Sequence, residues 1–422
     1  MNFTHSRKIK ILAHSFRVHC LGGTLPLLRT ELAKFGISAL TVSKIDTNAV
    51  DIHSGMMKSD IIRDACKVLM HSRLAKRVTI PLGTEFPLRM DHTLRSKLRA
   101  FNWNAVIGTT QRVEVAVKSS NSRFGDHKNI RNLILETISE SKQMTMNSQL
   151  ALVGCDAREG SSGMKLYVLM DEDTLDVQLD VGGDSHNDEH VQQLDSKSRL
   201  AFSGIASNAI AISVLDTLPV SCYSKMHIWN PFVGSGRLCM SLASILQGTP
   251  AGSPCTPYPI KHLPCFDEAA FADIVDSLRY SDHPLSKHVT SIIATDSSKE
   301  AIQVAQHNYL HLDQRIPIDG MGGPSYKIPI DFRRVPDAFM VPTDAEKILL
   351  VTSLPCGGDF EKRFRHFHSM LDKLEKENRL VGAYVATNKS HTFRTTSPHR
   401  RWLTNLRIFD NFRRDVELLR LV

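Results

Sequence analysis

The sequence predicts an α/β protein whose C-terminal half is a parallel, doubly wound sheet. Three observations predict it. Apolar strand-like runs alternate with helical stretches of roughly 10–20 residues from position 200 onward, the pattern of β-α-β units. Several of those runs end in glycine, aspartate or serine, where open α/β sheets place their ligands. Finally, 422 residues exceed one ordinary domain, and the first 180 or so show a different rhythm of shorter elements.

The elements follow in order. "TLPLLRTELAKFGI" carries Leu25, Leu28, Leu32 and Phe35 at helical spacing, with Thr24 as its expected cap. "SDIIRDACKVLMHS" is a second helix. In "RVEVAVKSS", Val113, Val115 and Val117 alternate as in a half-buried strand, and "NIRNLILETISES" returns to helix. "MKLYVLMDEDTLDVQLDVGG" reads as a hairpin. The polar stretch 183–198 is a linker. Beyond it come a helix near 200–216, the strand "MHIWN", a glycine turn, the helix "LCMSLASILQG", a Pro/Gly-rich loop over 248–264 and the helix "DEAAFADIVDSLRY". The strand "VTSIIATD" leads to a helix capped by Ser297 or Ser298. "KILLVTS", "FEKRFRHFHSMLDKLEKENR" and "LVGAYVAT" complete the alternation.

The net charge of +8 favours a polyanionic partner, most simply nucleic acid. No apolar run reaches the ~20 residues of a membrane span. None of the eight cysteines forms a C-x-x-C pair, so neither a structural metal nor a disulfide framework is expected, and free thiols point to a reducing intracellular compartment. Residues 1–30 are basic and acid-free, as in organelle transit peptides or in a tail that touches RNA, which leaves cytoplasmic and organellar addresses both open.

The stretch "WNPFVGSGR" ends a strand in Gly234-Ser235-Gly236, which suits close backbone approach to a ligand at a helix N-terminus. It is neither a dinucleotide fingerprint nor a phosphate loop, because no third glycine and no Gly-Lys-Ser/Thr follow. Asp296 ends the next strand. It fits two roles, acceptor for a ribose diol or cap of the following helix. Asp331, in "YKIPIDF", is either a third wall of the same site or a plain loop acid. "ILLVTSLPCGGDF" stops an apolar strand at Ser353-Leu354-Pro355-Cys356. Basic runs stand at Arg73, Lys76 and Arg77, at Lys118, Arg123 and Lys128, and at Arg400, Arg401, Arg413 and Arg414 beside Trp402.

In their order and spacing, "HSRLAKRVTIPLGTE", "FNWNAVIGTTQRVEVAVKSSNSRFGDHKNIRNLILETI", "LDVQLDVGGD", "NPFVGSGR", "IIATDSSKEAIQVAQHN" and "VTSLPCGG" resemble the bacterial-type guanine-N2 methyltransferases of large-subunit ribosomal RNA, whose RNA-binding region contains a THUMP domain. The resemblance implies five parts: a basic extension over 1–16, a ferredoxin-like segment over 17–65, a THUMP-like RNA-binding domain over 66–182, the linker, and a Rossmann-like methyltransferase domain over 199–422. It implies S-adenosylmethionine as cofactor, held by Asn230, Phe232, Gly234, Ser235, Gly236, Asp296 and Asp331. The acceptor is structured RNA, ribosomal before transfer RNA, bound through Arg73, Lys76, Arg77, Lys118, Arg123 and Lys128. Ser353, Leu354, Pro355 and Cys356 stand where the family has Asn-Pro-Pro-Tyr, the motif that accepts bonds from the target amine and stacks the flipped base. Cys356 brings no aromatic face, so Phe360, Phe364 and Phe393 are the expected substitutes. Asn230 and Arg237 also replace the family's Asp and Thr. These departures leave open an RNA-binding protein that has lost catalysis and acts in ribosome assembly.

Overall fold

The computed structural model describes residues 15–37, 40–43, 47–53, 58–87, 91–101, 103, 106–107, 113–120, 127–143, 164–171, 174–183, 203–218, 225–254, 256–263, 265–278, 283–313, 327–354, 359–397, 399–410 and 414–422. The chain divides into two compact units. One comprises residues 1–19, 32–186 and 254–275; the other comprises 20–31, 187–253 and 276–422.

The elements of the N-terminal region are β1 (Ser15–His19), α1 (Leu25–Lys34), β2 (Leu40–Val42), β3 (Ala49–His53), α2 (Lys58–His71), β4 (Arg77–Pro87), α3 (Asp91–Ala100), β5 (Val113–Ser120), α4 (His127–Gln143), β6 (Met164–Asp171) and β7 (Thr174–Asp180). Strands from both expected segments enter one sheet, in the order β2-β3-β1-β4-β7-β6-β5, and α2 runs across position 65. Only β5 and β6 pair in parallel among these strands. Along β6, Met164, Leu166, Val168 and Met170 are buried in strict alternation, which fixes one apolar face. The opposite face buries polar side chains, and burial requires that they find partners. Arg17 donates to Asp51 and Asp176, and Gln178 links Asp176 to Thr79 and His19. Thr24 does not cap α1 through its side chain: its hydroxyl donates back to the carbonyl of Leu21 at 2.8 Å.

The second unit carries α5 (Gly204–Asp216), β8 (Met226–Asn230) and α6 (Arg237–Leu246). After α7 (Glu268–Ser277) come β9 (Val289–Asp296), α8 (Lys299–Asp313), β10 (Ile330–Arg334), β11 (Ile348–Ser353), α9 (Phe360–Lys376), β12 (Leu380–Thr387), α10 (Ser390–Thr395), β13 (Trp402–Asp410) and β14 (Arg414–Leu421). The sheet order is β10-β9-β8-β11-β12-β14-β13. The first five strands are parallel, as expected. The last two correct the expectation of a wholly parallel sheet. β14 runs antiparallel between β12 and β13, because the three residues that separate Asp410 from Arg414 are too few for a crossover connection. Ser203 caps α5, Ser298 caps α8 and Asp359 caps α9 with side-chain oxygens, the preferred N-cap chemistry. The core between sheet and helix α9 includes Trp229, Leu350, Phe364, Phe367, Leu371 and Phe393. No helix among the described residues is long and apolar enough to cross a membrane.

Order along the sheet reverses between β8 and β11: the chain builds outward from β8 through β9 to β10, then resumes at β11 on β8's other side. A crevice at such a switch point, outside the carboxyl ends, is where doubly wound sheets bind ligands. Asn230 ends β8 and Ser353 ends β11.

Candidate functional site

The turn after β8 is specified by its glycines. Gly234 has φ +57° and Gly236 φ +82°, the left-handed region that side chains avoid. At Gly236 an added Cβ would also stand 3.0 Å from Ala305 Cβ on α8, so glycine is needed there twice over. At Gly234 an added Cβ would meet no heavy atom within 4 Å, so the turn borders open space at that point. The Gly234 N–H donates to Asp296 Oδ2 at 3.3 Å, and Ser298 N–H donates to Asp296 Oδ1 at 2.9 Å. Asp296, 2% exposed, therefore clamps the turn to the start of the next helix. The Asn308 amide donates to the Ser235 carbonyl at 3.0 Å and holds the turn from α8.

Asn230 ties the two halves of the switch point together. Its Oδ1 accepts from Phe232 N–H at 3.2 Å and from Thr352 Oγ1 at 3.0 Å, while its Nδ2 donates to Cys239 Sγ at 3.4 Å. Burial pushes the Cys239 thiol up to about 12, so the sulfur stays neutral beside the amide. The Asn in place of the family's Asp is thus matched by a thiol acceptor at α6. Phe232 packs edge-to-face on Phe339, 5.5 Å between centroids, and Phe339 meets the His366 ring at 5.8 Å.

Across the switch point, Ser353 is half-buried and level with Ala386 of β12. Leu354 is wholly buried in the core, with its N–H on the Ala386 carbonyl at 3.0 Å. Pro355 and Cys356 lie outside the described residues. Of the three aromatic substitutes, Phe364 and Phe393 are 0% exposed and have no face to offer a base. Phe360 alone among them is partly exposed.

Asp331 stands apart from this group. The register pairs Asp331 with Ile293 and Arg334 with Asp296, so Asp331 lies three residues short of the strand end. Its carboxylate accepts from Arg333 Nε at 2.7 Å, and Arg333 also reaches Asp344. These two carboxylates raise the Arg333 guanidinium above its ordinary range.

In the first unit Arg73, Lys76 and Arg77 are half-buried, and the Arg77 guanidinium stacks 3.5 Å over the Tyr167 ring. Lys118 and Lys128 are exposed; Arg123 lies outside the described residues. In the C-terminal basic run Arg401 is exposed. Arg400 is chelated by Asp372 and Glu375 at 2.5–2.8 Å, and Trp402 packs in the core at 5.0 Å from Phe393. Arg413 and the Arg414 side chain lie outside the described residues.

Sequence reasoning missed Thr352 and Asn388. The polar-residue-at-a-strand-end rule that found Asp296 also applies to Asn388, which directly follows β12.

No family profile matches the sequence, and no curated protein matches it. Solved structures do match, over nearly the whole chain. SMU.472, named as a methyltransferase candidate complexed with SAH, is 15% identical, with a TM-score of 0.70 and 98% of each chain covered. A predicted N6-adenine-specific DNA methylase from Listeria monocytogenes is 18% identical, with a TM-score of 0.68, covering 96% of this chain and 95% of that one. TrmN from Thermus thermophilus is 14% identical, with a TM-score of 0.61 and coverage of 97% and 99%. The fold is therefore that of Rossmann-like methyltransferases with an N-terminal α/β extension.

Proposed function

We propose that the chain is an S-adenosylmethionine-dependent RNA methyltransferase that forms N2-methylguanosine in ribosomal RNA, with transfer RNA the second choice of substrate. One observation carries the reading: the glycine turn at 234–236, clamped by Asp296, meets Ser353 across a switch point joined by the Thr352–Asn230 bond. The bound S-adenosylhomocysteine named for one fold relative supports it. Residues present here fit the cofactor. The methionine end would lie against the turn where Gly234 borders open space, and Asp296, at the end of β9, would hold ribose hydroxyls with the lone pairs left over from its bonds to Gly234 and Ser298.

When bound, S-adenosylmethionine would supply an activated methyl group for the amine nitrogen, whose displaced proton would go to solvent. Ser353 Oγ and the Leu354 carbonyl would accept bonds from the target amine and align its lone pair, since catalysis here rests on positioning. Asn230 and Phe232 hold the wall between the two ligands. The THUMP-like region over 66–182 would hold RNA by phosphate contacts from Arg73, Lys76, Arg77, Lys118, Arg123 and Lys128, giving affinity without sequence choice. Asp331, engaged by Arg333 below the strand end, is a weaker candidate for the adenine amine than its motif position suggests.

A second reading has its own observation. The burial of Phe364 and Phe393 removes two of the three rings expected to replace the missing tyrosine, which favours an RNA-binding assembly protein without catalysis. Calorimetric titration with S-adenosylmethionine decides between them. Binding in the micromolar range, weakened about tenfold or more by Asp296→Ala, supports the enzyme. A folded chain that binds RNA and takes no cofactor at millimolar concentration is the assembly protein.

A further inference from the structure

Asn388 directly follows β12, next to the strand that delivers Ser353. Ser353 pairs with Ala386, so Asn388 stands two residues further along, about 8 Å from Ser353 between Cα atoms by strand geometry. The chain turns at once: Lys389 N–H donates to Thr387 Oγ1 at 3.1 Å, and Thr387 is wholly buried. Asn388 is thereby fixed at the carboxyl edge of the sheet. Its Oδ1 is buried and accepts no hydrogen bond from any described residue. A buried, unmatched carbonyl oxygen costs about 1–3 kcal/mol, and such groups recur where a ligand completes the bonding. Asn388 as a whole is only half-buried, and its terminal torsion is soft, so a small rotation presents the oxygen to an entering group.

Two further groups stand at the same edge. Phe360, at the start of α9, keeps part of its ring exposed. Lys389 is exposed, and its ammonium lies 6.0 Å over that ring. An aromatic face and a neutral acceptor at one strand end, with a cation beside them, match a purine that carries an exocyclic amino group.

We infer that Asn388 and Phe360 form the acceptor-base subsite: Asn388 Oδ1 accepts from the 2-amino group of a guanine, and Phe360 stacks on its ring. The inference rests on the methyltransferase reading for its chemistry: the amine's two N–H groups go to Ser353 Oγ and Asn388 Oδ1, with Asn388 in the place first given to the Leu354 carbonyl, while Phe360 supplies the aromatic face that Cys356 lacks. Asn388 thereby accepts from the reacting amine and selects guanine.

The test is a binding measurement, independent of turnover. The full chain, with S-adenosylhomocysteine added, is titrated by fluorescence anisotropy with a labelled uridine heptamer carrying one central guanosine, and with its inosine counterpart, which lacks only the 2-amino group. The guanosine heptamer should bind about fivefold tighter, the value of one hydrogen bond. Asn388→Ala should abolish the ratio, and Asn388→Asp, which keeps an oxygen acceptor, should preserve it, a rescue that mere structural damage would not show. Phe360→Ala should weaken both heptamers about tenfold and leave the ratio unchanged. Equal affinity of the wild-type chain for the two heptamers, failure to bind either, or a ratio that survives Asn388→Ala overturns the subsite. A chain that discriminates the heptamers while calorimetry shows no cofactor binding keeps the subsite and loses the methyltransferase reading.

Discussion

The two sides of the switch point are built differently. On the β8–β9 side, the site is made of backbone: a turn with two positive φ angles, amides donating to Asp296, a carbonyl held by Asn308. On the β11–β12 side it is made of side chains: Ser353 is short, Leu354 lies in the core, and Asn388, which follows β12, has an Oδ1 with no partner among the described residues. Backbone sites tolerate few substitutions because their geometry needs glycine. Side-chain sites can shift their work to a neighbour while the sheet stays the same. The comparison therefore predicts that the first side is retained in form and the second rearranged.

The largest expected effect separates packing from function on the rearranged side. Phe364 is wholly buried, 5.1 Å from Phe393 and 5.9 Å from Phe360. Phe364→Ala should cost about 3–5 kcal/mol of stability, the range for a core phenylalanine. Phe360→Ala, at the partly exposed end of the same row, should cost under about 2 kcal/mol while weakening RNA. Chemical denaturation beside RNA titration checks both. Equal stability losses would mean that Phe360 is core as well, and the distinction between the two rings would go.

Much of this was legible in advance, and the reasons differ by element. "MHIWN", "VTSIIATD" and "LVGAYVAT" fall on β8, β9 and β12 residue for residue, because central parallel strands are continuous apolar runs bounded by turn residues. The glycine turn was legible because its φ values leave no other residue type. β13 and β14 were not. They form an edge pair whose residues alternate between core and solvent, with Phe409 and Leu403 outward, and the arginines there fit an RNA contact and a surface helix and strand at the sheet edge equally well. Arg400 shows why: its charge is consumed by Asp372 and Glu375, more than 20 residues away in sequence. The register of Asp331 was hidden for a similar reason, since motif position cannot show that the strand runs three residues past it. Asn388 was legible by position, as the polar residue that follows "LVGAYVAT", but its unmatched oxygen is a property of the packed structure alone.

A smaller effect arises from pH. His368 of α9 is buried against Phe393 and Trp402, and its Nε2–H donates to the Phe393 carbonyl at 3.2 Å. Burial, which outweighs that bond and is reinforced by the charge of Arg400, lowers its pKa to about 4. The unfolded chain takes up this proton near pH 6.5 and the folded chain only near 4, so the unfolded state binds more protons in between. Stability from this group is complete above about pH 6.5 and falls as pH drops toward 4, by up to about 3 kcal/mol. Thermal unfolding from pH 7 to 4.5 should show the slope, and His368→Gln, which retains a donor for Phe393, should flatten it. An unchanged slope in that variant would place the acid sensitivity elsewhere and leave the rearranged side no more labile than the other.

The smallest effect falls on the bond between the sides. Thr352 is fully buried at the last turn of β11 toward the site, and its hydroxyl reaches Asn230 Oδ1 at 3.0 Å. Thr352→Val conserves shape and removes that donor; Asn230 Oδ1 retains the Phe232 N–H, so no acceptor is left bare and the cost should be about 1 kcal/mol. If the two sides are separate constructions joined by this contact, cofactor affinity should change less than about threefold, while discrimination between guanosine and inosine heptamers falls, because Ser353 and the β11–β12 edge lose their tether to β8. The asymmetry is expected from what each side is made of: the turn at 234–236 is held by Asp296 and Asn308 without help from β11, whereas Ser353 follows Thr352 directly. A variant in which cofactor affinity drops tenfold or more with base discrimination intact would reverse the asymmetry and make Thr352 part of the cofactor wall.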